Sequence, residues 1–179
     1  MCGTETDLGD WMFDNKTSSC FFVSDQKYKW QAAKSFCRGL NATLATIDKD
    51  NYQMVREGLL WSTGISAPEE RFWIGLILVD RLTLTHTWLD GNVSNTFRAW
   101  DINEPDRRGF QACTSMAARN GKWRDEHCSI PAYRLVCRKS TRPAANITKD
   151  AVPAKVRESW GCQGSFLNKS WVQFGNHSP

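Results

Sequence analysis

No apolar run in this chain approaches the roughly 20 residues that a membrane-spanning helix needs. Helical membrane spans are therefore excluded from these residues. No two cysteines stand at CxxC spacing, which excludes a zinc ribbon or a thioredoxin-type redox site. Histidine is scarce: His86, His127 and His177 are scattered. Glu126 adjoins His127, but nothing nearby supplies the third group of a catalytic constellation. Ser115, Ser129 and the cysteines form no nucleophile motif. An enzyme is not expected. The first residues, Met1-Cys2-Gly3-Thr4, lack the basic start and apolar core of a secretion signal. The reading is then a piece of a longer chain, with Met1 as an expression start. The net charge of +4 permits an anionic partner without requiring one.

Cysteine and tryptophan are present in quantity. Cys2, Cys20, Cys37, Cys113, Cys128, Cys137 and Cys162 accompany six N-glycosylation sequons, at Asn15, Asn41, Asn92, Asn146, Asn168 and Asn176. One sequon carries little weight, because the tripeptide is short. Six together with this many cysteines point to the secretory pathway and an oxidising compartment. The 179 residues suffice for one domain with its own core, so disulfides would reinforce that core rather than replace it. Nine tryptophans are expected mainly in the core or at a ligand face.

Residues 1–24 read as a Cys-bounded entry with strand character at Cys20-Phe21-Phe22-Val23. Trp30, Ala33, Phe36, Cys37 and Leu40 recur at helical spacing, which predicts a helix over 26–40. Leu44-Ala45-Thr46-Ile47 is a short strand or turn. Asp48 opens a second helix, with Tyr52, Val55, Leu59 and Leu60 on its apolar side. Phe72 to Val79 is an apolar run of strand length. Residues 80–112 read as a long loop region, and Trp123 and Tyr133 to Cys137 as closing strands. Residues 140–161 read as a polar linker. Beyond it, Cys162 precedes Trp171 by nine residues, with Phe174 and Asn176 following. Cys2 precedes Trp11 by nine, with Phe13 and Asn15 following. The plain alternative is a disordered tail with one cysteine. The echo favours a second domain of the same type starting in 162–179, which also explains an odd cysteine count.

Over residues 1–139 the chain resembles the C-type lectin-like domain. The resemblance rests on Trp30-x2-Ala33-x3-Cys37 followed by Leu44-Ala45-x-Ile47, and on Trp73-Ile74-Gly75-Leu76. It continues through Trp88-x-Asp90-Gly91, Phe97-x2-Trp100, Gly121-x-Trp123-x-Asp125-x2-Cys128 and Cys137. Each motif is weak alone; the order is specific. The implied fold is α+β, with two helices flanking small antiparallel sheets and a long loop region as the recognition surface. Six cysteines allow 15 connectivities. The resemblance selects Cys37–Cys137 and Cys113–Cys128, leaving Cys2–Cys20 as the extra bridge of longer members. It also places Trp88, Trp100 and Trp123 in the core.

In sugar-binding members of that family, a calcium ion in the long loops ligates sugar hydroxyls. The resemblance implies a Glu-Pro-Asn or Gln-Pro-Asp triplet, a Glu two residues before the third framework cysteine, and an Asn-Asp pair after a Trp. This chain has Glu104-Pro105-Asp106, with Pro105 at the position that is usually cis, then Gln111, then Arg124-Asp125. Candidate metal ligands are Glu104, Asp106, Gln111 and Asp125. Arg124 offers five donors and no acceptor, so it cannot ligate a metal. An arginine there can instead pair with Glu104, Asp106 or Asp125 and hold the loop without metal.

Arg107, Arg108, Arg119, Lys122 and Arg124 lie near the same loops and favour an anionic ligand. The plain alternative is solvated loop cations among acidic neighbours. The candidate ligand face is Glu104, Asp106, Arg107, Arg108, Gln111, Arg124 and Asp125. The expected function is a calcium-independent recognition or spacer module of an extracellular, endocytic receptor-like glycoprotein. It would be the ectodomain of a single-pass membrane protein, or secreted. Partners would be a protein or anionic glycan and neighbouring domains of the same chain, with no specific nucleic acid. A tandem array of such domains resembles the macrophage mannose receptor family. The alternative is a calcium-dependent carbohydrate-binding lectin using Glu104-Pro105-Asp106.

Overall fold

The computed structural model describes residues 2, 8–64, 69–106 and 111–141. Arg107, Arg108, the linker beyond residue 141, Cys162 and the sequons at Asn146, Asn168 and Asn176 lie outside them. No helix among the described residues is long and apolar enough to cross a membrane.

The chain enters through β1 (Gly9–Asp14) and β2 (Ser19–Ser24), an antiparallel hairpin. α1 spans Trp30–Gly39 and buries Trp30, Ala33 and Cys37 on one face. It starts four residues later than the apolar spacing predicts. Tyr28 is held extended by a bridge to Tyr133, and its carbonyl accepts the Trp73 indole N–H at 2.7 Å. β3 is Thr43–Leu44, and α2 is Tyr52–Thr63. Asp48 does open α2. Its carboxylate accepts the Asn51 N–H, while Asn51 Oδ1 accepts the Asp48 N–H, a reciprocal pair of the capping-box kind. Val55 and Leu59 are buried, but Leu60 is exposed, one position past the buried stripe; Met54 packs on the core from the other side.

β4 (Arg71–Asp80) is the central strand. It pairs antiparallel with β5 (Thr85–Trp88) and β6 (Gln111–Ala117), and parallel with β8 (Arg134–Ser140). β7 is Trp123–His127, antiparallel to β6. The strand order is β1-β2-β8-β4-β6-β7, with β3 on β8 and β5 on β4. Two strands thus intrude on the predicted loop: β5 lies within 80–112, and β6 opens at its end. Polar residues on the outward positions of β5 mask its alternation.

Gly75 in the Trp73-Ile74-Gly75-Leu76 strand has a steric cause. A Cβ there would lie 2.4 Å from the Leu44 carbonyl oxygen, and the Gly75 N–H donates to Ala45 O at 2.9 Å. Only glycine lets β4 approach the β3 segment this closely. Ile74, Leu76, Trp88 and Trp123 join Phe21, Val55, Leu59 and Val136 in one core cluster. Trp73, Trp30 and Leu135 centre a second, around the Cys37–Cys137 bridge. Trp61, by contrast, is exposed. The disulfides are Cys2–Cys20, Cys37–Cys137 and Cys113–Cys128, as the resemblance implies.

Candidate functional site

The β6–β7 ladder builds the site. Thr114 stands opposite Asp125 and Ser115 opposite Arg124. Period-2 alternation then sends neighbouring β7 residues to opposite faces: Arg124 is exposed and Asp125 buried. A register shift between Gln111 and Cys113 lets Gln111 fold back, so that its Nε2 donates to the Asp125 carbonyl at 3.0 Å.

The loop that faces β7 is fixed from both ends. Trp100 bridges Trp123, and the Asp101 N–H donates to Trp123 O at 2.9 Å. Trp100 also packs edge-on to Trp123 and to His86. A turn follows, with Asn103 at a positive φ of 62° and the Glu104–Pro105 bond cis. The Asp106 N–H then donates to Asp125 Oδ1 at 3.0 Å and to Glu104 Oε2 at 3.2 Å. As a result, oxygens of Glu104, Asp106 and Asp125 lie within 4.8 Å of one another.

Crowding raises the proton affinity of Glu104. Burial, then the hydrogen bond and charge of Asp125 and the charge of Asp106, push the Glu104 carboxyl up to about 7. Gln111 Oε1 is buried and has no hydrogen-bond partner.

Arg124 does pair with Glu104 of the cluster, but its nearer partner is Asp101, which the sequence reading did not single out. Its guanidinium forks onto Asp101 Oδ2, at 2.9 Å from Nη2 and 3.1 Å from Nε, and reaches Glu104 Oε1 only at 3.9 Å. The Arg124 hydrogen bond holds the Asp101 carboxyl below its ordinary range. The cause is register. The Trp100–Trp123 bridge sets Asp101 beside Arg124, whereas Asp106 and Asp125 lie behind the exposed face of β7. Sequence reasoning placed Asp101 only among the acidic neighbours; long-range pairing, not local spacing, singles it out.

The expected basic patch is divided. Arg119 and Lys122 sit in the turn between β6 and β7, where the Arg119 carbonyl accepts a bond from Arg56 of α2 and the Lys122 carbonyl one from Arg71. Arg124 remains beside the acidic cluster. His127 is engaged locally, its Nδ1 accepting the Ser129 N–H.

The donor set tests the calcium expectation. Calcium takes roughly 6–8 oxygen ligands. Glu104, Asp106, Asp125 and Gln111 Oε1 offer oxygens, but the fifth family position carries a cation 3.9 Å from Glu104. Against the five family positions the set is one ligand short and one charge too positive, which disfavours a resident ion.

The family "Lectin C-type domain" matches residues 26–139. The chain is 31% identical over 124 residues to the hepatic lectin of Gallus gallus, covering 67% of this chain and 54% of that protein. It is 32% identical over 121 residues to lymphocyte antigen 75 of Mus musculus, covering 65% of this chain and 7% of that protein. The chain thus spans about half or much less of these curated relatives. The human scavenger receptor C-type lectin carbohydrate-recognition domain superposes with a TM-score of 0.59 at 25% identity, covering 73% of this chain and 95% of that one. Cysteine framework, central strand, long-loop site and family match agree: the chain belongs to the C-type lectin domain family.

Proposed function

We propose that this chain is a non-catalytic extracellular recognition module of a receptor-like glycoprotein, and that its long-loop face binds ligand without a resident calcium ion. One observation carries the reading. Arg124, at a ligand position of the family's calcium site, is instead tied to Asp101 at 2.9 Å. An ion pair then does what a metal would otherwise do: it fixes the loop to β7. The half-exposed Arg124, with Arg107 and Arg108 following the acidic triplet in sequence, favours a protein or anionic glycan ligand. A spacer role within a longer array is the limiting case.

The larger setting is part of the proposal. The Cys162–Trp171 echo favours a second domain of the same type after a linker at 140–161. In lymphocyte antigen 75 the matching stretch is 7% of the protein, which fits a domain embedded in a long chain. An endocytic ectodomain of the macrophage mannose receptor type, or a secreted form, follows from that setting.

Calcium-dependent carbohydrate binding is the second reading, and two observations favour it: three carboxylates converge, and Gln111 Oε1 is buried without a partner while its Nε2 reaches the Asp125 carbonyl. In that case Glu104, Asp106, Gln111 and Asp125 would hold the ion, which would supply an anchor for sugar hydroxyls.

The test is to display the secreted protein to neutral, sialylated and sulfated glycans and to soluble protein ligands, with calcium and with chelator. Binding that survives the chelator and weakens in Arg124→Ala supports the first reading. Binding to neutral glycans alone, abolished by chelator, overturns it.

A further inference from the structure

Away from the long-loop site, an open cavity of about 560 Å³ lies where the end of α1 and the β3 segment meet β8. It shares no lining residue with the Glu104 cluster. Two glycan acceptors, Asn41 and Asn92, line it from different parts of the chain. Asn41 is exposed, in a left-handed turn (φ 53°) just past α1. Asn92 also borders a neighbouring cavity of about 470 Å³, and its Oδ1 accepts the Ser94 hydroxyl of its own sequon at 2.8 Å. Asn15, the other described sequon, is exposed in the β1–β2 turn and lines neither cavity.

Between the two acceptors the wall is polar. Arg38, Arg138 and Lys139 offer N–H donors, and Asp90 offers an acceptor. Arg138 is held in place by Asp48 at 3.6 Å and by Ser19 at 3.2 Å, and its guanidinium lies 5.7 Å from the Phe21 ring centre. The Lys139 ammonium lies 4.0 Å from the Trp11 ring centre. A wall lined by Arg38, Asp90, Arg138 and Lys139 carries both donor and acceptor side chains, which suits the hydroxyls and amide of an N-acetylhexosamine. A sugar tethered at the rim meets such a wall at an effective concentration in the millimolar range, so weak contacts suffice to seat it.

We infer that Asn41 and Asn92 are both N-glycosylated and that the cavity between them houses their innermost sugars. This face is then covered by the chain's own glycan, and recognition is left to the long-loop face. The inference does not depend on whether that loop binds calcium.

The test uses protein secreted from glycosylating cells. Peptide mass spectrometry reads occupancy at Asn15, Asn41 and Asn92. Endoglycosidase release is then followed on the native and the denatured protein. The expected result is occupancy at Asn41 and Asn92, with release from both several-fold slower than from Asn15 in the native state and equal once denatured. Arg38 is exposed, so Arg38→Ala keeps the fold. It should bring native release at Asn41 toward the Asn15 rate. An unmodified Asn41 or Asn92, native release as fast as at Asn15, or slow release unaltered by Arg38→Ala would overturn the inference.

Discussion

Arg124 and Asp101 are joined across the long-loop site by a fork of 2.9 and 3.1 Å, because the Trp100–Trp123 bridge sets their backbones side by side. Arg124 is about half exposed, so the pair contributes on the order of 0–1 kcal/mol to stability. Its consequence is chemical: it puts a cation where the family's calcium site needs an oxygen. The double substitution Arg124→Asn, Gln111→Glu restores an oxygen and a negative charge. This variant should gain calcium binding, read as a calcium-dependent rise in its thermal midpoint. No gain would mean that the loop backbone, and not only its ligands, is unsuited to the ion.

The acidic cluster makes stability depend on pH. Glu104 rises from an ordinary 4.5 to about 7 in the folded protein, mainly through burial and then through its carboxylate neighbours. Between these values the folded state binds more protons than the unfolded state. Stability from this group is therefore full below about pH 4.5 and is lost as pH rises through about 7. Glu104→Gln removes the titration. Its midpoint should exceed that of the parent at pH 8 and converge with it near pH 5. Parallel pH profiles of parent and variant would refute the raised pKa of Glu104.

Asn51 is fully buried and joins Thr46 O to the Asp48 N–H. Asn51→Ala leaves both backbone groups without that partner, which costs about 1–3 kcal/mol. Chemical denaturation should show the loss as a lower midpoint with an unchanged slope. A variant as stable as the parent would show that water replaces the side chain.

The disulfides differ in the loops they close. Cys37–Cys137 spans 100 residues and Cys2–Cys20 spans 18. On chain entropy, Cys37→Ser with Cys137→Ser should cost about 4–5 kcal/mol, and Cys2→Ser with Cys20→Ser about 3 kcal/mol. The order of the two denaturation midpoints checks this; a reversed order would contradict it.

Much of the framework is legible in the sequence because it rests on local pattern. Trp30, Ala33 and Cys37 declare a helix face, and the crowded approach of β4 to Leu44 explains a glycine inside an apolar strand. The pairing of cysteines comes from the family likeness alone. What spacing could not show is set by distant register. β5 is hidden among polar residues, Tyr28 is drawn out of α1 by Tyr133, and Arg124 finds Asp101 only through the Trp100–Trp123 bridge. The convergence of Glu104, Asp106 and Asp125 follows the motif order. The direction of Arg124 does not.

The most direct test of the account compares thermal unfolding of the unmodified sequence at pH 7.5 in millimolar calcium and in chelator. A native-state ligand at 100 times its dissociation constant stabilises by about 2.7 kcal/mol, a shift that is easily measured. The account predicts the same midpoint in both. A clear rise with calcium would contradict it, and would mean that Glu104, Asp106, Gln111 and Asp125 hold the ion despite Arg124.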